Sequence, residues 1–150
     1  MIRIGPAGWK YKDWEGVVYP TPAPRGFDAL AYIADYFTTV EINSSYYGPP
    51  RPETARKWLR SVDHNSQFRF TAKLFHSFTH ERKPVSDDER NFKAGIGPLM
   101  EAGPLGAVLI QFSLVFQERT GESRIPLARA IAVQSLPAGR RSSPRELDYG

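Results

Sequence analysis

Residues 27–43, FDALAYIADYFTTVEIN, carry two periodicities in succession. From Phe27 to Phe37 the apolar residues Phe27, Leu30, Ala31, Ile33, Ala34 and Phe37 share one face of a 3.6-residue repeat, and Asp28 suits the first turn of a helix. Directly afterwards, Thr38-Thr39-Val40-Glu41-Ile42-Asn43 is rich in β-branched residues and reads as a strand. A helix that feeds straight into a strand is half of a βαβ unit.

The same pattern extends in both directions. Downstream, Pro52 is well placed to begin a helix over Glu53 to Val62, and Phe68 to Lys73 forms the next strand. A loop from Leu74 to Pro84 precedes a weaker helix, Asp87 to Met100, that Gly95, Gly97 and Pro98 interrupt. A further strand follows over Gly106 to Phe112. Upstream, Met1 to Gly5 reads as a short strand that Gly5, Pro6 and Gly8 break into a long loop carrying Trp9, Tyr11, Trp14 and Tyr19. Strands alternating with helices predict a parallel sheet and an α/β fold, in which sites lie at the C-terminal ends of the strands.

The pattern stops at Phe112. Six lysines precede or include Lys93 and none follows, while residues 113–150 mix arginine with Ser, Pro, Ala and Gly. Read one nucleotide out of register with ordinary codon choices, Ser113 onward allows PWSFKNEPENREYLW, and Pro137 to Leu147 allows RLVVEVRHASW. Each shifted codon must begin with the second base of the residue present, so long sensible stretches are hard to obtain by chance. The expected organisation is therefore one partial domain over 1–112 and an out-of-frame tail over 113–150, the competing reading being a divergent or disordered tail.

Composition excludes several classes. There is no cysteine, hence no disulfide framework and no thiolate metal site. Half of the net charge of +4 lies in residues 113–150, and in residues 1–112 the balance is ordinary, 14 basic residues facing 12 acidic ones, so charge names no partner. The chain enters a strand at once, without an apolar leader, and no stretch reaches membrane-spanning length. A soluble, cytoplasmic protein with no membrane partner is the expectation.

The chemically able residues gather at strand ends. Glu41 and Asn43 are one strand period apart and are expected on one face, Lys73 ends the next strand, and His76, Thr79, His80, Glu81 and Arg82 follow in its loop. A carboxylate, an amide, an ammonium and an imidazole on one rim suit acid/base or anion-binding chemistry, and a salt-bridged rim explains them equally. His76 and His80 lack the three or four placed ligands of a metal site, so no metal and no cofactor is expected. Trp9, Tyr11, Trp14, Tyr46 and Tyr47 either stack on a ligand or pack the long loop onto the fold.

At these residues the chain resembles the YecE-like family, domain of unknown function 72. The blocks that carry the resemblance are Arg3-Ile4-Gly5-Pro6-Ala7-Gly8-Trp9-Lys10-Tyr11-Lys12-Asp13-Trp14 with Tyr19-Pro20, then Thr39 to Tyr47, then Phe68 to Lys73 with Thr79-His80-Glu81-Arg82. Pro6 and Tyr46 depart mildly from the usual Thr or Ser and Phe. The peptides PWSFKN and VEVRHASW of the shifted frame look like the family's next two blocks. The resemblance implies a TIM-type (β/α)8 barrel, of which this chain holds about four βα units, the N-terminal half. It implies Glu41, Lys73 and His80 as candidate catalytic residues, and Trp9, Tyr11 and Asn43 as candidate binding residues; Arg82 joins the binding candidates through its charge in the loop after Lys73. It supplies a rim but no reaction, so whether the chain is an enzyme stays open.

Three functional readings follow. In the first, the intact parent is an enzyme for a small polar or phosphorylated substrate, with Lys73 holding an anion, His80 or Glu41 moving a proton and Asn43 orienting the substrate. In the second, a nucleic-acid barrel stacks a base on Trp9 and Tyr11 and holds phosphates with Lys73, Arg82 and Lys83. In the third, the chain is an inactive fragment. A half-barrel is also expected to self-associate through an uncovered apolar interior of Val40, Ile42, Phe70, Val108 and Ile110.

Overall fold

The computed structural model describes residues 2–81 and 84–112. Within them, β1 (Thr39–Ile42), β2 (Arg69–Lys73) and β3 (Leu105–Leu109) form a sheet in the order β1-β2-β3, with both pairs parallel. Three helices connect or precede them: α1 (Ala29–Tyr36), α2 (Pro52–Ser61) and α3 (Ser86–Glu101). Parallel neighbours require crossovers, and α2 and α3 supply them.

Local chemistry explains where the helices begin. Asp28 caps α1, its Oδ1 accepting from the N–H groups of Leu30 at 2.9 Å and Ala31 at 3.4 Å, while Oδ2 accepts from the Ser61 hydroxyl at 2.6 Å. Burial pushes the Asp28 carboxyl up, but the Ser61 hydrogen bond, the two helix N–H groups and the nearby Lys57 charge outweigh it, leaving the group below its ordinary value. Pro52 starts α2, where its missing N–H costs nothing. Asp87, Asp88 and Glu89 crowd the first turn of α3, and the Asp88 carboxylate accepts from the Val85 N–H at 3.0 Å.

Alternation along the strands divides the sheet into two faces. Val40, Ile42, Phe70 and Ala72 are buried against Leu30, Ala34, Ala55, Phe92, Ile96 and Leu99 from the helices. Thr39, Glu41, Arg69, Thr71 and Ala107 point the other way and line an open cavity of about 620 Å³. The expected uncovered apolar interior is therefore corrected. Val40, Ile42 and Phe70 lie under helices, Val108 packs against the same core, and Ile110 stands beyond the end of β3. Crossover helices draw the apolar half of each strand to themselves, and the face on which no described helix packs is the one bearing Thr39, Glu41, Arg69 and Thr71.

Three further expectations change. Residues 2–4 form no strand; backbone pairing of this segment with the sheet is a single bridge in which Glu41 N–H donates to the Pro6 carbonyl and Gly8 N–H donates to the Glu41 carbonyl, at 3.0 and 2.9 Å. The helix expected to falter at Gly95, Gly97 and Pro98 runs unbroken for 16 residues. The last strand occupies Leu105–Leu109 and ends before Phe112. Residues 113–150, which include the tail read as out of frame, lie outside the described residues, as do Arg82 and Lys83.

The aromatic loop is packed. Trp9 meets Trp58 edge-on with centroids 5.5 Å apart, and Tyr11, Trp14, Tyr19, Phe27 and Tyr32 form a chain of ring contacts of 4.9 to 5.7 Å. Tyr19 closes it from inside, donating its hydroxyl to the Trp9 carbonyl at 2.6 Å. Burial, followed by the neighbouring Tyr32, pushes the Tyr19 phenol up to about 12.

Candidate functional site

The strand ends, rather than the strands, assemble the candidate site. After Ile42 the chain turns into a short 3-10 helix, Asn43–Tyr46, so Asn43 opens that turn instead of standing beside Glu41 on the strand. Ser45 anchors the turn. Its fully buried hydroxyl lies 2.6 Å from the carbonyl oxygens of both Ile42 and Lys73, the last residues of β1 and β2, and its single proton goes to one of them. The two strand ends are thereby tied together, and Tyr46 is set against Lys73.

Tyr46 is the centre of the cluster. The Lys73 ammonium sits over its ring, 4.6 Å from the centroid, a cation–π contact. The rings of His76 and His80 lie 5.6 and 5.2 Å away, and Tyr47 stands edge-on at 5.0 Å. The histidines come from the segment after β2, where Ser77–Glu81 forms a π-helical turn. Such turns recur at functional sites. The π turn brings the Glu81 Oε1 to 2.9 Å from His76 Nδ1, and the Thr79 hydroxyl to 2.9 Å from His80 Nδ1. At its start the Ser77 hydroxyl is buried and finds no hydrogen-bond partner among the described residues.

The sequence-derived candidates separate into groups. Lys73 and His80 meet around Tyr46. Glu41 lines the open cavity with Arg3, Arg69 and Thr71, and no member of the Tyr46 cluster lines it. Trp9 is committed to Trp58 and the core, and Tyr11 packs on Trp14 while donating its hydroxyl to the Ala7 carbonyl. Arg82 lies outside the described residues. Reading from sequence passed over Ser45 and gave Tyr46 no special place. The available signal was a serine directly after a strand, where a short hydroxyl reaches local carbonyls. Among the described residues no three histidines or carboxylates converge to hold a metal, and no helix is long and apolar enough to cross a membrane.

A family model described as protein of unknown function DUF72 matches residues 3–139. The chain belongs to the DUF72 family. Among curated relatives, the UPF0759 protein YunF of Bacillus subtilis (strain 168) is 28% identical over 118 residues, covering 75% of this chain and 40% of the relative. A DUF72 family protein of Enterococcus faecalis V583 is similar in two crystal structures. One has a TM-score of 0.57 at 25% identity, covering 80% of this chain and 43% of that one. The other has a TM-score of 0.61 at 24% identity, covering 80% and 42%. This DUF72 chain thus spans about two-fifths of the length of the relatives it matches.

Proposed function

We propose that the chain is the N-terminal half of a TIM-type barrel whose C-terminal rim carries an enzyme site for a small polar or phosphorylated substrate. Support for the barrel is the parallel order β1-β2-β3 with helices on one face and a polar opposite face, and β3 has no partner on its outer side among the described residues. The observation that carries the site is the convergence of Lys73, His76 and His80 on Tyr46. Lys73 binds the anion. The Glu81 carboxylate orients His76 through Nδ1, which leaves Nε2 to exchange a proton, and His80 provides a second donor. Asn43, at the start of the neighbouring turn, would complete the site, whereas Glu41 faces the open cavity apart from it.

The histidines supply the test. The chain has three, and His64 pairs with Asp35 at 2.9 Å, apart from the cluster. Titrating inorganic phosphate while recording histidine ring resonances is expected to shift His76 and His80 saturably and leave His64 in place. Lys73→Gln should weaken that binding about tenfold, the value of one charge-assisted contact. Three rings that respond alike, or none, would sink the anion site.

We further propose that residues 113–150 are read out of frame. The loss of lysine after Lys93 and the family-like peptides of the shifted frame support this, and the family match that continues to residue 139 stands against it. Sequencing the DNA across codons 110–116 is expected to reveal a single-base slip near Phe112. An uninterrupted frame in that DNA, matching relatives codon for codon, would end the idea.

A further inference from the structure

We infer that the ligand of this rim is an anion carrying a planar ring, of the nucleoside monophosphate class, with Tyr47 as its stacking platform. The inference rests on the reading of the Tyr46 cluster as an anion site. Tyr47 is 74% exposed, although a tyrosine has a large apolar ring to bury. It is perpendicular to Tyr46, with an interplanar angle of 88°, and a contact of that kind engages an edge or one face and leaves the other face open. Tyr36, the other strongly exposed tyrosine, lies on α1 against Tyr32 and away from the cationic cluster. Only Tyr47 joins an open ring to the cluster of Lys73, His76 and His80 among the described residues.

One ligand can meet both groups, because Lys73 and Tyr47 border the same ring, the ammonium 4.6 Å and the phenol ring 5.0 Å from the Tyr46 centroid. A nucleoside monophosphate carries an anion and a planar ring on one molecule, one for each neighbour of Tyr46. Neither Lys73 nor the histidines would recognise the base edge, so the platform is tolerant of base identity.

The test uses the full 150-residue chain and four probes: adenosine 5′-monophosphate, ribose 5-phosphate, adenosine and inorganic phosphate. Affinities are read from the His76 and His80 resonances and by calorimetry. Adenosine 5′-monophosphate is expected to bind about tenfold tighter than ribose 5-phosphate, the gain typical of one stacked base. Tyr47→Ala should abolish that gain and leave ribose 5-phosphate unchanged, and Tyr47→Phe should keep it. Equal wild-type affinities for the two phosphates overturn the stacking platform while leaving the anion site standing, and so does a Tyr47→Ala loss shared by every phosphate. If no phosphate moves His76 or His80, the anion site fails and the platform with it.

Discussion

Gly95→Ala is expected to lower stability by about 3 kcal/mol, whereas Gly97→Ala, two residues further along the same helix, stays within about 0.5 kcal/mol of wild type. In an exposed helix either change would stabilise, because alanine is the better helix former by about 1 kcal/mol. At Gly95 a Cβ would lie 2.2 Å from the Pro50 carbonyl oxygen and 3.2 Å from its carbon. These are backbone atoms and cannot swing aside. Relief requires α3 to lift away from the Pro49–Pro50 segment, which draws Phe92, Ile96 and Leu99 out of the core. At Gly97 the nearest described atom is the tip of Glu101, 3.9 Å away, so space is available. There the helical gain is offset by Pro98, which crowds the Cβ of its predecessor. Urea unfolding of both variants checks the contrast, and a neutral Gly95→Ala would mean that α3 does not pack on Pro50.

The second large effect separates the two faces of β2. Phe70→Ala is expected to cost about 4 kcal/mol, the usual toll of deleting a fully buried phenyl group. Phe70 is 0% exposed and paired on both sides, by Val40 of β1 and Leu105 of β3. Thr71→Ala, its neighbour in sequence, should cost no more than about 1 kcal/mol, since its side chain faces the open cavity and only strand propensity is lost. Equal costs in urea unfolding would show that a second layer of protein covers the Thr71 face.

Much of this fold is legible from residue order. Asp28 and Pro52 announce helices α1 and α2, and the β-branched run ending at Asn43 and the run Phe68 to Lys73 mark β1 and β2, whose register only the structure supplies. Alternation distinguishes two faces but not which one the helices cover, and that is why Val40, Ile42 and Phe70 were expected in an open interior. Glycine and proline in α3 suggest an interruption when propensity alone is weighed. Packing of Phe92, Ile96 and Leu99 overrides it, and Gly95 is there because the helix approaches Pro50 so closely.

The site was legible in its parts and not in its assembly. Lys73 and His80 stand out as chemistry at a strand end, and both lie in the cluster. The π turn that aims His76 at Glu81 has no sequence signature, since an i→i+5 turn is a local adjustment rather than a propensity. Tyr46 gains its central place from three separate segments, and no pattern along one segment reveals that. Trp9, conspicuous in the sequence, is occupied by Trp58.

The Ser45 hydroxyl, held between the carbonyls that end β1 and β2, makes the sheet itself the ruler of the rim. Adjacent strands keep a separation of about 4.8 Å whatever side chains they bear, because main-chain hydrogen bonds set it. The gap between Tyr46 and Lys73 is thus inherited from the backbone. Over evolutionary drift the groups displayed there are free to change, and with them the molecules that are recognised, while the distance between them stays fixed.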